Sequence, residues 1–154
     1  SIADKDGWIR TGDLGRLDEE NRLYVVGRSK DIIIRGGENI ASAHVERCLS
    51  THPDVLEVAV VALPHGDLGE EVAAAVVLRP GATIRPEDLA VHAGTTLGRF
   101  EIPSRWWLRF DALPTNASGK ILKRELVEQW PAADAAAGPR DTQLTEPSRV
   151  TPNC

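Results

Sequence analysis

The chain has 154 residues, of which 42% are hydrophobic and 27% charged, and a formal net charge of −5. That length suits one compact domain and part of another, while the acidic balance speaks against a nucleic-acid partner or a polybasic membrane contact. No apolar run approaches the ~20 residues of a spanning helix, so no transmembrane segment is expected. The opening residues Ser1 to Asp6 lack a signal-peptide pattern, which makes a cytoplasmic setting the expectation. The chain also starts without Met inside what reads as a loop, which suggests a fragment. Cys48 and Cys154 make a poor disulfide framework. His44, His52, His65 and His92 have no zinc-ligand spacing, and no metal site is expected.

Taken in order, Gly7 to Leu14, the polar turn Asp18-Glu19-Glu20-Asn21 and the apolar run Leu23 to Val26 suit a β-hairpin. Within it, the glycine of Thr11-Gly12-Asp13 lets the backbone turn beside a short carboxylate. Asp13 can accept hydrogen bonds from a pair of sugar hydroxyls, or simply cap a turn. Gly27-Arg28-Ser29-Lys30-Asp31 reads as a linker to Ile32-Ile33-Ile34, a β-branched run typical of a buried strand. Arg28 there can contact a ribose or phosphate, or pair with Asp31. The paired glycines of Arg35-Gly36-Gly37-Glu38-Asn39 mark either a tight turn or a backbone that a ligand approaches closely.

Val45, Cys48 and Leu49 fall at i, i+3, i+4 and predict a helix from Ser42 that ends near His52-Pro53. Val55 to Leu63 and Glu71 to Leu78 are the strongest strand candidates, separated by a loop from Pro64 to Glu70. Pro86, with Glu87 and Asp88 behind it, opens a helix expected to run towards Leu97-Gly98. Trp106 to Phe110 reads as a last strand, with its tryptophans either a stacking platform or core packing.

The stretch Pro114-Thr115-Asn116-Ala117-Ser118-Gly119-Lys120 carries the best candidate catalytic group. Lys120 follows a Ser-Gly turn and precedes a helical pattern in which Leu122, Leu126 and Trp130 recur every four residues, so its ammonium can be aimed at an anion. It is no Walker loop, since the early glycine and the following Ser or Thr are absent. On its own, a solvated lysine in the first turn of a surface helix is the plainer reading. Ala132 to Cys154 has no strong period and reads as a disordered tail.

Together, Arg10-Thr11-Gly12-Asp13, Gly27-Arg28-Ser29-Lys30-Asp31, Arg35-Gly36-Gly37-Glu38-Asn39 and the Lys120 stretch resemble the AMP-forming acyl-CoA synthetases of the adenylate-forming superfamily. Four motifs in order are far more specific than any one. The resemblance implies an α+β fold, a small mixed sheet with flanking helices, preceded by a β-hairpin from the end of a larger missing domain. Residues 1–29 would end that large domain, 30–130 form the small mobile domain and 131–154 the tail. It implies ATP and coenzyme A as cosubstrates, with Mg2+ held mainly by the missing domain, and a small carboxylic acid, fatty or related, as substrate. Lys120 would bridge the carboxylate and the α-phosphate, Asp13 the ribose hydroxyls, and Arg28 the nucleotide; Lys30 would be the hinge, and Gly36 and Gly37 would line the coenzyme A channel.

Two departures from the family pattern stand out. The basic cluster that many relatives carry after the aromatic matched by Phe100 is replaced by Glu101-Ile102-Pro103-Ser104 before Arg105, and His65 stands where an aspartate is usual. Since the phosphate loop and acyl pocket are not in these residues, the chain alone is expected to be inactive. An adenylation module of a peptide synthetase and a non-catalytic module left by truncation are the alternatives.

Overall fold

A computed structural model describes residues 5–9 and 11–131. Two long antiparallel strands organise it, β5 (Val55–His65) and β6 (Gly69–Leu78). Side chains alternate across a strand, and here both faces are apolar, so each strand feeds two cores. Val58, Val60, Val72, Ala74 and Val76 pack on one side. Ala59, Val61, Leu63, Ala73, Ala75 and Val77 pack on the other.

The first core is closed by α1 (Ser42–Leu49), through Val45, Cys48 and Leu49, and by α2 (Pro86–Ala93), through Leu89 and Ala93. The second is closed by Leu113 and by Leu126 of α3 (Lys123–Glu128), both buried. Around β5 and β6 the sheet is completed by β3 (Ile32–Arg35), β4 (Glu38–Ala41) and β7 (Arg105–Arg109). The strand order is β4-β3-β6-β5, and β7 lies parallel to β6, with Ala73 opposite Arg105 and Val77 opposite Arg109. A parallel neighbour needs a crossover, and α2 supplies it. The result is the expected α+β fold, a mixed sheet with helices on both faces.

A separate hairpin of β1 (Asp13–Leu17) and β2 (Leu23–Arg28) precedes the sheet. Its turn is organised by Asp18, whose carboxylate accepts the backbone N–H groups of Glu20 (3.0 Å) and Arg22 (2.8 Å). Gly27 and Arg28 extend β2, so the expected five-residue linker narrows to one 3-10 turn, Ser29–Asp31, which leads straight into β3.

Other boundaries moved for local reasons. β5 continues through Pro64 because β5 is an edge strand, where a missing N–H costs no ladder bond. α2 stops at Ala93; beyond Gly94, tight turns carry the chain to the buried Leu97, whose N–H reaches the Ala93 carbonyl at 2.9 Å. Ile33 is buried, but Ile34 is 54% exposed, so β3 is covered on one face only. Trp106 packs on the first core and Trp107 on the second, where it meets Trp130 edge to face at 5.6 Å. The tryptophan pair therefore serves the sheet, and Arg109 lies over the Trp107 ring at 4.6 Å. The expected tail lies outside the described residues, as does Arg10.

Candidate active site

The Lys120 loop is a small, internally braced body. Thr115 and Ile121 form a bridge across its neck, and the Leu122 N–H donates to the Pro114 carbonyl at 2.8 Å. Inside, the carboxamide oxygen of Asn116 accepts from the Ser118 N–H (3.1 Å), the Ser118 hydroxyl (2.7 Å) and the Lys120 N–H (2.9 Å). The backbones of Asn116 and Lys120 also meet at 2.9 Å. Closing so short a loop needs the left-handed backbone of Gly119, at φ +79°. Lys120 is exposed and, among the described residues, its ammonium has no hydrogen bond or ion pair. It precedes α3 by three residues, so the plainer reading, a lysine in the first helical turn, does not describe it.

Asp13 and Arg28 face each other across the hairpin, Nε to Oδ1 at 3.3 Å, with the arginine side chain 52% exposed and the aspartate 34%. An exposed pair of this kind is worth about 0–1 kcal/mol, so a ligand can re-partner either group at little cost. Arg28 pairs with Asp13 rather than with Asp31. Both line a cavity of about 640 Å³ between the hairpin and α1, together with Asp31, Glu46, Arg47 and Lys123. Lys120 does not line it. The structure thus joins Asp13 to Arg28 but leaves Lys120 apart from both. Lys30 sits in the 3-10 turn between β2 and β3.

Gly36 and Gly37 form the two-residue turn between β3 and β4, with Arg35 opposite Glu38. Both need positive φ, +57° and +89°, as the primed hairpin turns demand. A Cβ on Gly36 would lie 3.3 Å from Leu68 Cδ2, whereas one on Gly37 would meet open space. The tight-turn reading therefore accounts for the pair, and the open side at Gly37 leaves room for a thin chain alongside.

The two departures acquire a physical content. Arg105, the first cation after Phe100, donates to Glu71 at 3.2 Å in a largely buried pair, and Ser104 Oγ donates to the same carboxylate at 2.8 Å. Glu101 accepts the Gly98 N–H at 2.8 Å. This stretch therefore offers no uncommitted cation. His65 Nδ1 accepts the N–H groups of Asp67 and Leu68, both at 3.2 Å, and so does for the β5–β6 turn what a carboxylate oxygen would do.

Sequence reasoning missed Lys123. Its ammonium lies 2.7 Å from Glu46 Oε1 and 3.0 Å from the buried Ser42 Oγ, 81 residues earlier in the chain. No local pattern signals so distant a pairing. Among the described residues no three His, Cys, Asp or Glu stand close enough to hold a metal ion, and no helix is long and apolar enough to cross a membrane.

The family model described as the AMP-binding enzyme C-terminal domain matches residues 44–120. The long-chain-fatty-acid–CoA ligase FadD13 of Mycobacterium tuberculosis is 42% identical over 127 residues, covering 82% of this chain and 25% of that protein. The fatty acid–[acyl-carrier-protein] ligase ScoC of Streptomyces coeruleorubidus is 42% identical over 125 residues, covering 81% and 24%. In structure, ATP-bound MatB from Rhodopseudomonas palustris superposes with a TM-score of 0.75 at 35% identity, covering 86% of this chain and 26% of that one. The mixed sheet with its flanking helices is thus the fold of the C-terminal domain of adenylate-forming enzymes. The chain belongs to the AMP-binding enzyme C-terminal domain family. It spans about a quarter of the length of the curated relatives it matches.

Proposed function

We propose that residues 30–130 are the small mobile domain of an ATP-dependent, AMP-forming acyl-CoA ligase and that residues 1–29 are the end of its large domain. The observation that carries this is the braced loop presenting an exposed Lys120, unpaired among the described residues, in a chain of this family. In the first half-reaction a carboxylate oxygen attacks the α-phosphorus of ATP and pyrophosphate leaves. Lys120 would lie between the two anions and offset the charge that gathers on the phosphate oxygens. Asp13 would hold the ribose hydroxyls and Arg28 the nucleotide. In the second half-reaction the thiol of coenzyme A attacks the acyl carbonyl and AMP leaves, with Gly36 and Gly37 beside the incoming chain.

Lys120 does not share the cavity of Asp13 and Arg28, and this supports an enzyme in which the small domain turns about Lys30 between the two steps. The Mg2+ that accompanies ATP would be held mainly by the large domain, and a cytoplasmic setting fits such a reaction. The names of FadD13 and ScoC support a fatty or related organic acid as substrate. The chain alone, without the large domain, would be inactive.

The test is pyrophosphate release from ATP and a fatty acid by the full-length protein. Lys120→Ala should lower it by about 10²–10³-fold, the size of losing one stabilising donor at a developing charge. Thioester formation from preformed acyl-adenylate should survive. Unchanged pyrophosphate release, or steady release by this chain alone, would sink the proposal. ScoC, matched as well as FadD13, favours a second reading in which a carrier-protein thiol replaces coenzyme A. Offering both acceptors to the acyl-adenylate form decides between them.

A further inference from the structure

Lys123 on α3 and Glu46 and Ser42 on α1 join two helices that sequence keeps far apart. Glu46 leaves α1 and accepts the Val60 N–H at 2.9 Å, which satisfies an outward-facing donor on the edge strand β5. The same oxygen receives Lys123 Nζ at 2.7 Å, and that ammonium also donates to Ser42 Oγ at 3.0 Å. Ser42 is 2% exposed, and the lysine and glutamate side chains are 29% and 24% exposed, so the contact is partly desolvated and geometrically fixed. Charge-assisted bonds of this kind are short and directional.

The place of this clamp in the chain gives it a purpose. The Lys120 loop is rigid within itself, through the Thr115–Ile121 bridge and the Asn116 carboxamide. It is held to the rest of the domain by Leu113 in the core before it and, after it, by Ile121 packed against the same core and by α3. α3 has no side-chain cap at its start, where Leu122 stands, and the Leu122 N–H ties that end back to the Pro114 carbonyl rather than to the sheet. The clamp from Lys123 helps to hold it, with Ile121 packed on the second core before it and Leu126 buried after it. Cutting the clamp would leave the loop folded but free to rock against the sheet.

We propose that Lys123, through Glu46 and Ser42, is a positioning residue that sets the direction of Lys120 and thus serves the adenylation half-reaction selectively. This rests on the function proposed above. Rate depends steeply on such placement, because an error of about 1 Å in a reacting group can cost about 10²-fold.

The experiment pairs two readouts. In the full-length protein, Lys123→Ala should reduce kcat for pyrophosphate release by about 10–100-fold, with KM for ATP changed less than threefold. Thioester formation from preformed acyl-adenylate should change less than threefold, and Lys123→Arg should restore most of the lost rate. In the 154-residue chain, amide signals of Ser118, Gly119 and Lys120 should shift or broaden in Lys123→Ala, while those of β5 and β6 stay in place. Equal loss in both half-reactions, no loss, or undisturbed loop amides would overturn the inference. A Lys120→Ala protein that still adenylates would instead remove the proposed function, and the amide readout would then judge the clamp alone.

Discussion

Replacing Glu71 with alanine should destabilise the fold by about 3 kcal/mol, for reasons that lie in its surroundings. Its side chain is 8% exposed and holds both Arg105 Nη1, at 3.2 Å, and Ser104 Oγ, at 2.8 Å. Removing one member of a buried ion pair costs about 3–5 kcal/mol, because the other charge is left uncompensated. Arg105 keeps 18% of its side-chain surface, which sets the expectation at the lower end. For a domain of about 100 residues, 3 kcal/mol corresponds to a fall in Tm of roughly 12–24 °C. Urea and thermal unfolding of the chain, followed by tryptophan fluorescence, give the number. Arg105→Leu alone should also destabilise, by leaving Glu71 unpaired. The double replacement, Glu71→Leu with Arg105→Leu, should return to within about 1 kcal/mol of the parent, because apolar groups of similar volume replace a buried pair almost neutrally. A loss below about 1 kcal/mol in Glu71→Ala, or single effects that simply add, would refute the reasoning. The functional corollary is that Arg105 is committed to the sheet. On the proposed function, the double variant of the full-length protein should therefore leave KM for coenzyme A within about twofold, a change of under ~0.5 kcal/mol.

Further measurements test the turns. Gly37→Ala should cost about 1–2 kcal/mol and exceed Gly36→Ala, since φ +89° lies outside the left-handed well that +57° occupies, and the one neighbour of Gly36 is the end of a flexible leucine; the order of urea midpoints checks it. His65→Asp should stay within about 0.5 kcal/mol of the parent, because a carboxylate can accept the same two N–H groups, whereas His65→Ala should lose about 1 kcal/mol, with denaturation again the measure. The Arg22 N–H, and behind it the Arg22 guanidinium, hold the Asp18 carboxyl below its ordinary value of 3.8. A lowered carboxylate contributes stability above its unfolded value and loses it as pH falls through the folded one. The Glu20 and Arg22 amides should therefore hold their positions down to pH 4 and move below it, and Asp18→Asn should abolish the step; a midpoint at or above 3.8 in the parent would refute this.

What the sequence made legible was whatever local chemistry decides. Val45, Cys48 and Leu49 share a face as a helix, Pro86 with two acids behind it suits the start of one, and the continuous apolar runs of β5 and β6 suit the strands at the core of the sheet. The paired glycines leave a turn and a ligand approach open in sequence, and the backbone angles account for the turn. The remainder depended on contacts that no window of sequence contains. Pro64 looked like a strand breaker until β5 proved to be an edge strand. Nothing near Arg105 in sequence shows that Glu71, on the neighbouring strand, holds it. Lys123 looked like an ordinary helical lysine because Glu46 and Ser42 lie on another helix, and the resemblance that singles out Lys120 assigns no role to its neighbour.

The same distinction bears on how a lysine loop can serve an enzyme whose nucleotide lies elsewhere. The loop keeps its shape by bonds within itself, whereas its direction is held by the clamp to α1 together with Leu113, Ile121 and Leu126 on the second core, and its distance from Asp13 and Arg28 by the path of the chain through Ser29–Asp31. Shape, direction and distance thus depend on separate groups of atoms. On the proposed function, a turn of the small domain changes only the distance, because the clamp and the loop lie wholly on the moving side of the 3-10 turn. Lys120 can then leave and return without its geometry being rebuilt, and the surface pair of Asp13 and Arg28, weakly held to each other, loses little when a nucleotide comes between them.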